Sequence, residues 1–161
     1  MLNSIFKNGD IYDLLYNTKN YEEEVNYVSN LIKNFAISGK NLLEFGSGTG
    51  KHAKFFVKKG FSVHGIEYSP DMISKIEKIK GFTFQQGDIA NVILGRKFDT
   101  VISLFHVMSY QNSNNKIEKV FKNANEHLNP GGLFIFDFWF TPAVLHQFPS
   151  IKFKTVKNKK F

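Results

Sequence analysis

Cysteine is absent from this 161-residue chain. Its absence excludes a disulfide framework and a thiolate metal site, and fits a protein of the cytoplasm. Long apolar runs are lacking too. None approaches the ~20 residues that a membrane-spanning helix needs, so no membrane association is expected. The opening Met1-Leu2-Asn3-Ser4-Ile5-Phe6-Lys7 has no signal-peptide pattern. Neither internal repeats nor low-complexity segments occur. Acidic residues are the scarcer charge, 14 against 21 basic ones, giving a net charge of +7. A nucleic-acid partner is conceivable on that balance, but the lysines are dispersed over helix surfaces and a tail from Lys152 to Lys160. A solvated, lysine-rich surface is the expected reading. His52, His64, His127 and His146 show no metal-like arrangement, and no metal is expected. What the chain does have is 42% hydrophobic residues and 18 phenylalanines. That is enough for one domain with one core, with the phenylalanines read mostly as packing.

The order of elements indicates the fold class. A short amphipathic stretch includes Ile11-Tyr12-Asp13-Leu14-Leu15-Tyr16. A helix is predicted from about Tyr21 to Phe35, where Val25, Val28, Ile32 and Phe35 recur at helical spacing. Glu22, Glu23 and Glu24 occupy its first turn, where the helix dipole favours negative charge, and Ser38-Gly39 ends it. Strands are predicted at Asn41–Phe45, Ser62–Ile66, Phe82–Gln86, Phe98–Phe105 and Leu133–Phe138. Between them fall helices at Lys51–Lys59, from Ser69-Pro70 to Gly81 with a stripe of Ile73, Ile76 and Ile79, and at Asn114–Leu128. In the last of these Ile117, Val120, Phe121, Ala124 and Leu128 are in register. Asn129-Pro130-Gly131-Gly132 reads as a stop and turn. This alternation predicts an α/β fold, a Rossmann-like, doubly wound and mainly parallel sheet. Ligands of such sheets bind beyond the carboxyl ends of the strands.

The stretch Leu42–Gly50 carries the chemistry. An apolar strand breaks into Gly46-Ser47-Gly48-Thr49-Gly50 and runs into a helix. Glycines there let a ligand lie against the backbone, and the helix start offers unpaired N–H groups. A phosphate-cradling P-loop is excluded, because Phe45 stands where its first glycine belongs and His52 where Ser or Thr belongs. The dinucleotide fingerprint spaces its glycines differently, and Lys51 occupies its third glycine position. A G-x-G-x-G loop preceded by an acid, here Glu44, resembles motif I of class I S-adenosylmethionine-dependent methyltransferases. That resemblance implies that Glu44 serves the amino-acid end of the cofactor and that the loop admits its methionine portion.

Other residues fall around this loop at the strand ends. Glu67, about 20 residues after it, suits a ribose diol. Asp88 ends the third strand and, by the same resemblance, accepts the adenine amino hydrogens, with the Ile89 N–H meeting the ring. The two acids Glu67 and Asp88 would equally suit a dinucleotide, which leaves a nicotinamide oxidoreductase as an alternative. Tyr68 and Met72 are placed to sandwich adenine, and Leu104 and Phe105 to line the methionine end. Methyl transfer requires an acceptor brought to the methyl group and relieved of a proton. Tyr110, His106 and Tyr16 are the candidates for that work, with tyrosine better suited to orientation than to proton abstraction.

Several segments together resemble the nucleotide-linked amino-sugar N-methyltransferases. They are Ile11-Tyr12-Asp13, Lys19-Asn20-Tyr21, Leu43–Gly50, Gly65-Ile66-Glu67-Tyr68-Ser69, Gly87-Asp88, Phe98-Asp99, Leu128–Gly132 and Phe136–Pro142. The resemblance implies S-adenosyl-L-methionine as cofactor and a small-molecule acceptor, a nucleotide sugar whose amine is methylated. It places Tyr12, Tyr16 and Tyr21 at the border of the cofactor and acceptor pockets, and Tyr110 near the acceptor amine. Asn20 departs mildly from the family pattern. The family fold has seven strands, so strands six and seven are expected to be missing from this chain, which would make it a truncated product. RNA or protein methylation, or cofactor binding without turnover, are the alternatives. The expected organisation is one domain over residues 1–161: an N-terminal helical cap at 1–40, a cofactor-binding core at 41–140 and the start of an acceptor lid at 141–161, where Ile151–Val156 alternates. The oligomeric state is left open by the sequence.

Overall fold

The computed structural model describes residues 9–36 and 39–146. Five strands, β1 (Asn41–Phe45), β2 (Ser62–Glu67), β3 (Phe82–Gln86), β4 (Phe98–Ser103) and β5 (Leu128–Phe136), form one sheet in the order β3-β2-β1-β4-β5. Every pairing is parallel, as the alternation of elements predicts. Successive side chains of a strand point to opposite faces, and here both faces are apolar. Leu42 and Ile102 join one cluster with Val25, Val28, Ala53 and Phe56. Leu43, Phe45 and Val101 join the other with Val120 and Ala124. The first cluster is capped by α2 (Tyr21–Phe35) and α3 (Lys51–Lys58), the second by α5 (Asn114–Glu126).

Helix α2 starts where Asn20 accepts a hydrogen bond from the Glu23 N–H, 3.0 Å, while Asn20 Nδ2 donates to Glu23 Oε2, also 3.0 Å. This reciprocal cap satisfies an orphan N–H of the first turn and explains asparagine at that position. Val25, Val28 and Ile32 are buried, each worth roughly 1.5–3 kcal/mol in transfer from water. Phe35, expected on the same stripe, is 69% exposed. The helix stops at Phe35, with Ala36 as its cap, before Ser38, which lies outside the described residues. The amphipathic stretch near the N-terminus forms a further helix, α1 (Gly9–Leu15).

The bounds of four expected elements move, and β5 ends at Phe136 instead of Phe138. Helix α4 covers only Pro70–Ser74, although Ser69 caps it as expected, accepting from the Met72 N–H at 3.3 Å. Ile73, Ile76 and Ile79 recur strictly every third residue. That spacing suits one helix face, but the helix ends after Ser74. Ile76 and Ile79 reach the α2/α3 cluster from non-helical chain instead. Strand β4 ends at Ser103, because Phe105 and His106 adopt positive φ, 61° and 64°. Helix α5 ends at Glu126, and Leu128 opens β5 instead of closing the helix. The Asn129-Pro130-Gly131-Gly132 segment is a bulge within β5, since the register steps from Phe98↔Leu128 to Thr100↔Leu133. Gly131, at φ 78°, makes that step possible. Phe121 of α5 is 42% exposed but packs edge-on against Phe134 and Phe136 of β5. A short helix α6 (Thr141–His146) follows. The alternating stretch Ile151–Val156 and the lysine-rich tail lie outside the described residues. Among the described residues no helix is long and apolar enough to cross a membrane.

Asp99 ties the amino ends of three strands. Its Oδ2 accepts from the Asn41 N–H at 2.9 Å and its Oδ1 from Asn129 Nδ2 at 2.9 Å. Both bonds lie at the opposite end of the sheet from the glycine loop. Asp99→Ala is expected to lower stability in urea by about 1–3 kcal/mol and to leave ligand binding at the carboxyl end unchanged, as read by calorimetric titration.

Candidate active site

Connections from β1 and β4, the central strands, leave toward opposite faces of the sheet, so a crevice opens over their carboxyl ends. A cleft of about 510 Å³ lies there. Its floor is formed in part by the glycine loop. Gly46, Gly48 and Gly50 have φ of 74°, 55° and 81°, a conformation glycine adopts without strain. A Cβ on Gly46 would stand 2.5 Å from a Val107 methyl, so the loop after β4 packs directly against this one. At Gly48 a Cβ would meet nothing within 4 Å; the space above it belongs to the cleft.

Most residues singled out from the sequence meet at this cleft. Gly46, Ser47 and Gly48 line it from the loop, and Glu67, Tyr68 and Met72 from the end of β2 and the start of α4. Asp88 and Ile89 reach it after β3, and Leu104, Phe105, His106 and Tyr110 after β4. Tyr12 and Tyr16 close it from α1 and the turn beyond. Three do not line it. Gly50 lies behind the loop, where a Cβ would stand 2.8 Å from the Phe82 ring. Glu44 is buried at 1% exposure. Tyr21 lines a neighbouring cavity of about 350 Å³ with Asp13, Asn17 and Asn20, and its ring meets His52 edge-on at 4.9 Å.

Glu67 joins the loop to its own strand end. Its Oε2 accepts from the Gly48 N–H and its Oε1 from the Ser69 N–H, both at 2.8 Å. Burial raises its pKa, and these backbone N–H groups only partly offset that. Asp88 Oδ1 accepts from the Ala90 N–H at 2.9 Å, folding its own turn. On the other side, Phe105 and His106 hold left-handed backbone without being glycine, at roughly 1–3 kcal/mol each. Asp137 offsets this, since its carboxylate accepts from the Phe105 N–H at 3.0 Å and the His106 N–H at 2.6 Å. Such charge-assisted bonds contribute about 1.5–3 kcal/mol apiece. The His106 ring is stacked on Trp139, centroids 4.4 Å apart. Tyr16 sets its ring edge-on to Phe105 at 4.9 Å. Burial, and secondarily Tyr16, raise the pKa of Tyr110. Burial, followed by the tyrosines around it, does the same to Tyr12.

Helix α1 is fastened across the cleft. At its start the Gly9 N–H donates to Asp71 Oδ2 at 2.5 Å. Toward its end Asp13 accepts from Thr49 Oγ1 at 2.8 Å and pairs with Lys51 at 3.0 Å. Beneath the loop lies a group the sequence reading missed. His52 Nε2 is 2.7 Å from Glu24 Oε2, and its Nδ1 is 3.5 Å from Glu44 Oε1. Glu24 also pairs with Lys19. The signal was present, since His52 falls on the buried face of its helix with Phe56, one helical turn before it. Glu24, read as a dipole-stabilising acid, in fact reaches across to α3. Trp139 was likewise not singled out as a site residue.

A profile described as "Methyltransferase domain" matches residues 18–160. Among curated proteins the chain is similar to the dTDP-3-amino-3,4,6-trideoxy-alpha-D-glucopyranose N,N-dimethyltransferase of Streptomyces venezuelae. The two are 32% identical over 137 residues, 83% of this chain and 58% of the relative. It is also similar to the dTDP-4-amino-2,3,4,6-tetradeoxy-D-glucose N,N-dimethyltransferase of Saccharopolyspora spinosa, at 28% identity over 83% of this chain and 55% of the relative. Streptomyces venezuelae DesVI has a solved structure that matches with a TM-score of 0.75 at 33% identity, over 81% of this chain and 56% of that one. SAM-bound CalS10, an amino pentose methyltransferase from Micromonospora echinaspora, matches with a TM-score of 0.75 at 27% identity, over 81% and 56%. The chain thus spans little more than half the length of these relatives. With its glycine loop, strand-end acids and parallel sheet all falling within the matched region, this chain belongs to the methyltransferase-domain family.

Proposed function

We propose that this chain binds S-adenosyl-L-methionine in the cleft and directs its methyl group to the amine of a small acceptor, a nucleotide-linked amino sugar. The observation that carries the reading is the row of acids Glu44, Glu67 and Asp88 at the ends of three neighbouring parallel strands, gathered around a glycine loop. The relatives' activity on dTDP-linked amino sugars supports the choice of acceptor. The residues fit this cofactor. Glu44 Oε2 and Ser47 Oγ are buried polar atoms with no hydrogen-bond partner, and such atoms are costly unless something meets them. Gly48 leaves open space against the backbone. The cytoplasm is the compartment we propose, in keeping with the absence of cysteine.

When bound, S-adenosylmethionine supplies an electrophilic methyl group on sulfonium sulfur, so positioning is the protein's main task. Glu67 is held by two backbone N–H groups and keeps lone pairs on both oxygens for the ribose hydroxyls. Tyr68 and Met72 cover adenine, Asp88 accepts from its amino group, and the Ile89 N–H faces the ring. Glu44 takes the amino-acid end. Leu104 and Phe105 line the path to the methyl group, and α1 with Tyr16 forms a cap over it. An attacking amine must first give up its proton. The raised pKa of Tyr110 keeps its phenol protonated, which suits it to orient the acceptor as a hydrogen-bond donor. Tyr16 shapes the same wall. His106 is the imidazole at this end of the cleft, and imidazole is the side chain suited to take up a proton near neutral pH.

Titration with S-adenosylmethionine in a calorimeter is expected to give micromolar affinity, falling at least about tenfold in Glu67→Ala. Binding of NAD in its place would overturn the reading. With a dTDP-linked amino sugar as acceptor, His106→Asn is expected to lower kcat by about 100-fold with little change in cofactor affinity. Tyr110→Phe should act mainly on the acceptor KM. Equal kcat in His106→Asn and the parent would remove His106 from the proton path.

A further inference from the structure

Four alternating charges run from the glycine loop to the far wall of the cleft. Glu44 ends β1, His52 begins α3, Glu24 lies in the first turn of α2 and Lys19 precedes that helix. Only Glu44 has a part in the reading above. We propose that His52 is a positioning residue that sets a cationic partner on one oxygen of the Glu44 carboxylate and orients the other for the ammonium of the cofactor's amino-acid end, with Glu24 and Lys19 fixing His52 in turn. The proposal rests on the S-adenosylmethionine reading.

A carboxyl group 1% exposed would by itself take up a proton rather than bear the desolvation of its charge. Glu44 has one buried cationic group beside it. His52 Nδ1 lies 3.5 Å from Oε1, whereas Oε2 has no partner. A carboxylate held at one oxygen and vacant at the other is a receptor for a second cation. His52 lines the cleft although only 6% of it is exposed, and its ring has little freedom to turn. Glu24 Oε2 lies 2.7 Å from Nε2, and the Tyr21 ring stands edge-on at 4.9 Å. Lys19 pairs with Glu24 and sets its ammonium 4.3 Å from the centre of the Phe105 ring. The relay therefore ends on the residue that lines the methionine end.

The titratable groups facing His52 are Glu24 and Tyr21 of α2, Lys19 before it, and Glu44 of β1. Lys51, beside it on α3, is turned to Asp13 of α1. Burial opposes a charged His52, but its bonds to Glu24 and Glu44 outweigh that and raise its pKa above the ordinary value. Burial also opposes a charged Glu24, yet His52 and Lys19 bring it down to about 2. Both results favour a cationic His52 against an anionic Glu24. Burial still leaves the Glu44 carboxyl above its usual range, with His52 opposing that rise, so a second cation at Oε2 would complete its charge balance.

Two nucleoside thioethers separate this role from general support of the loop. S-adenosylhomocysteine carries the amino-acid end and 5′-methylthioadenosine lacks it. In His52→Gln the affinity for the former is expected to fall about tenfold, and for the latter by less than about twofold. Retained methylthioadenosine binding doubles as the check that the cleft is folded. Glu24→Gln, which keeps a hydrogen-bonding partner but removes its charge, is expected to show the same selective loss, and it carries the test if His52→Gln does not fold. Equal weakening of both ligands, or no change in either, would overturn the proposal while leaving the cofactor reading intact. Failure of the parent chain to bind either thioether would overturn the cofactor reading and this inference with it.

Discussion

The constraint on which the rest depends is that this sheet is covered on both faces. Leu42, Leu43, Phe45, Val101 and Ile102 of the two central strands are all at 0% exposure. Neighbouring strands use up their backbone hydrogen bonds, and a polar side chain along their length would be desolvated without return. Polar chemistry is therefore driven to the strand ends. Parallel pairing puts all the carboxyl ends on one side, so acids far apart in sequence must meet there. Glu44, Glu67 and Asp88 need no common motif to come together; two short crossovers, through α3 and α4, do it.

Gathering loops at one edge has a cost, and the chain meets it in two ways. After β1 it uses glycine, which takes positive φ freely. After β4 it places Phe105 and His106 in the same region of φ, where side chains make the conformation costly. The difference follows from what each loop must present. The first loop must let something approach its backbone, as the open space at Gly48 indicates. The second must present side chains, an aromatic wall and an imidazole, so glycine would not serve there. Asp137, from beyond β5, makes the strained turn tenable by accepting both N–H groups. The carboxyl end of β5 is thereby part of the site although its own side chains line little of it.

The layers of the fold were legible in the sequence where one physical signal dominated. Apolar periodicity located α2 and the strands, and glycine spacing located the loop. Legibility failed where two signals competed. The isoleucines at 73, 76 and 79 carry a helix-like spacing, but packing against the α3 side is satisfied without a helix. The Asn129–Gly132 segment has turn chemistry, yet the sheet absorbs it as a bulge. The site was legible for residues at strand ends, since topology alone places them. Helical spacing with Phe56 marks His52 as buried, but the roles of His52 and Trp139 were not legible. Their importance comes from partners on other elements, 28 residues away for Glu24, and no local pattern records such pairs.

The ties around the cleft are of two kinds, and the difference bears on how the cleft works. Glu67, Asp88 and Asp137 accept from backbone N–H groups. Donors of that kind are already fixed by the fold, so only the acceptor's side-chain freedom is lost. Asp13 and Glu24, in contrast, meet the side chains of Lys51, Lys19 and His52. A half-exposed pair such as Lys51 with Asp13 contributes only about 0–1 kcal/mol. The loops of the cleft are thus held mostly by bonds to fixed backbone donors, while α1, which closes it, is held in part by a half-exposed ion pair.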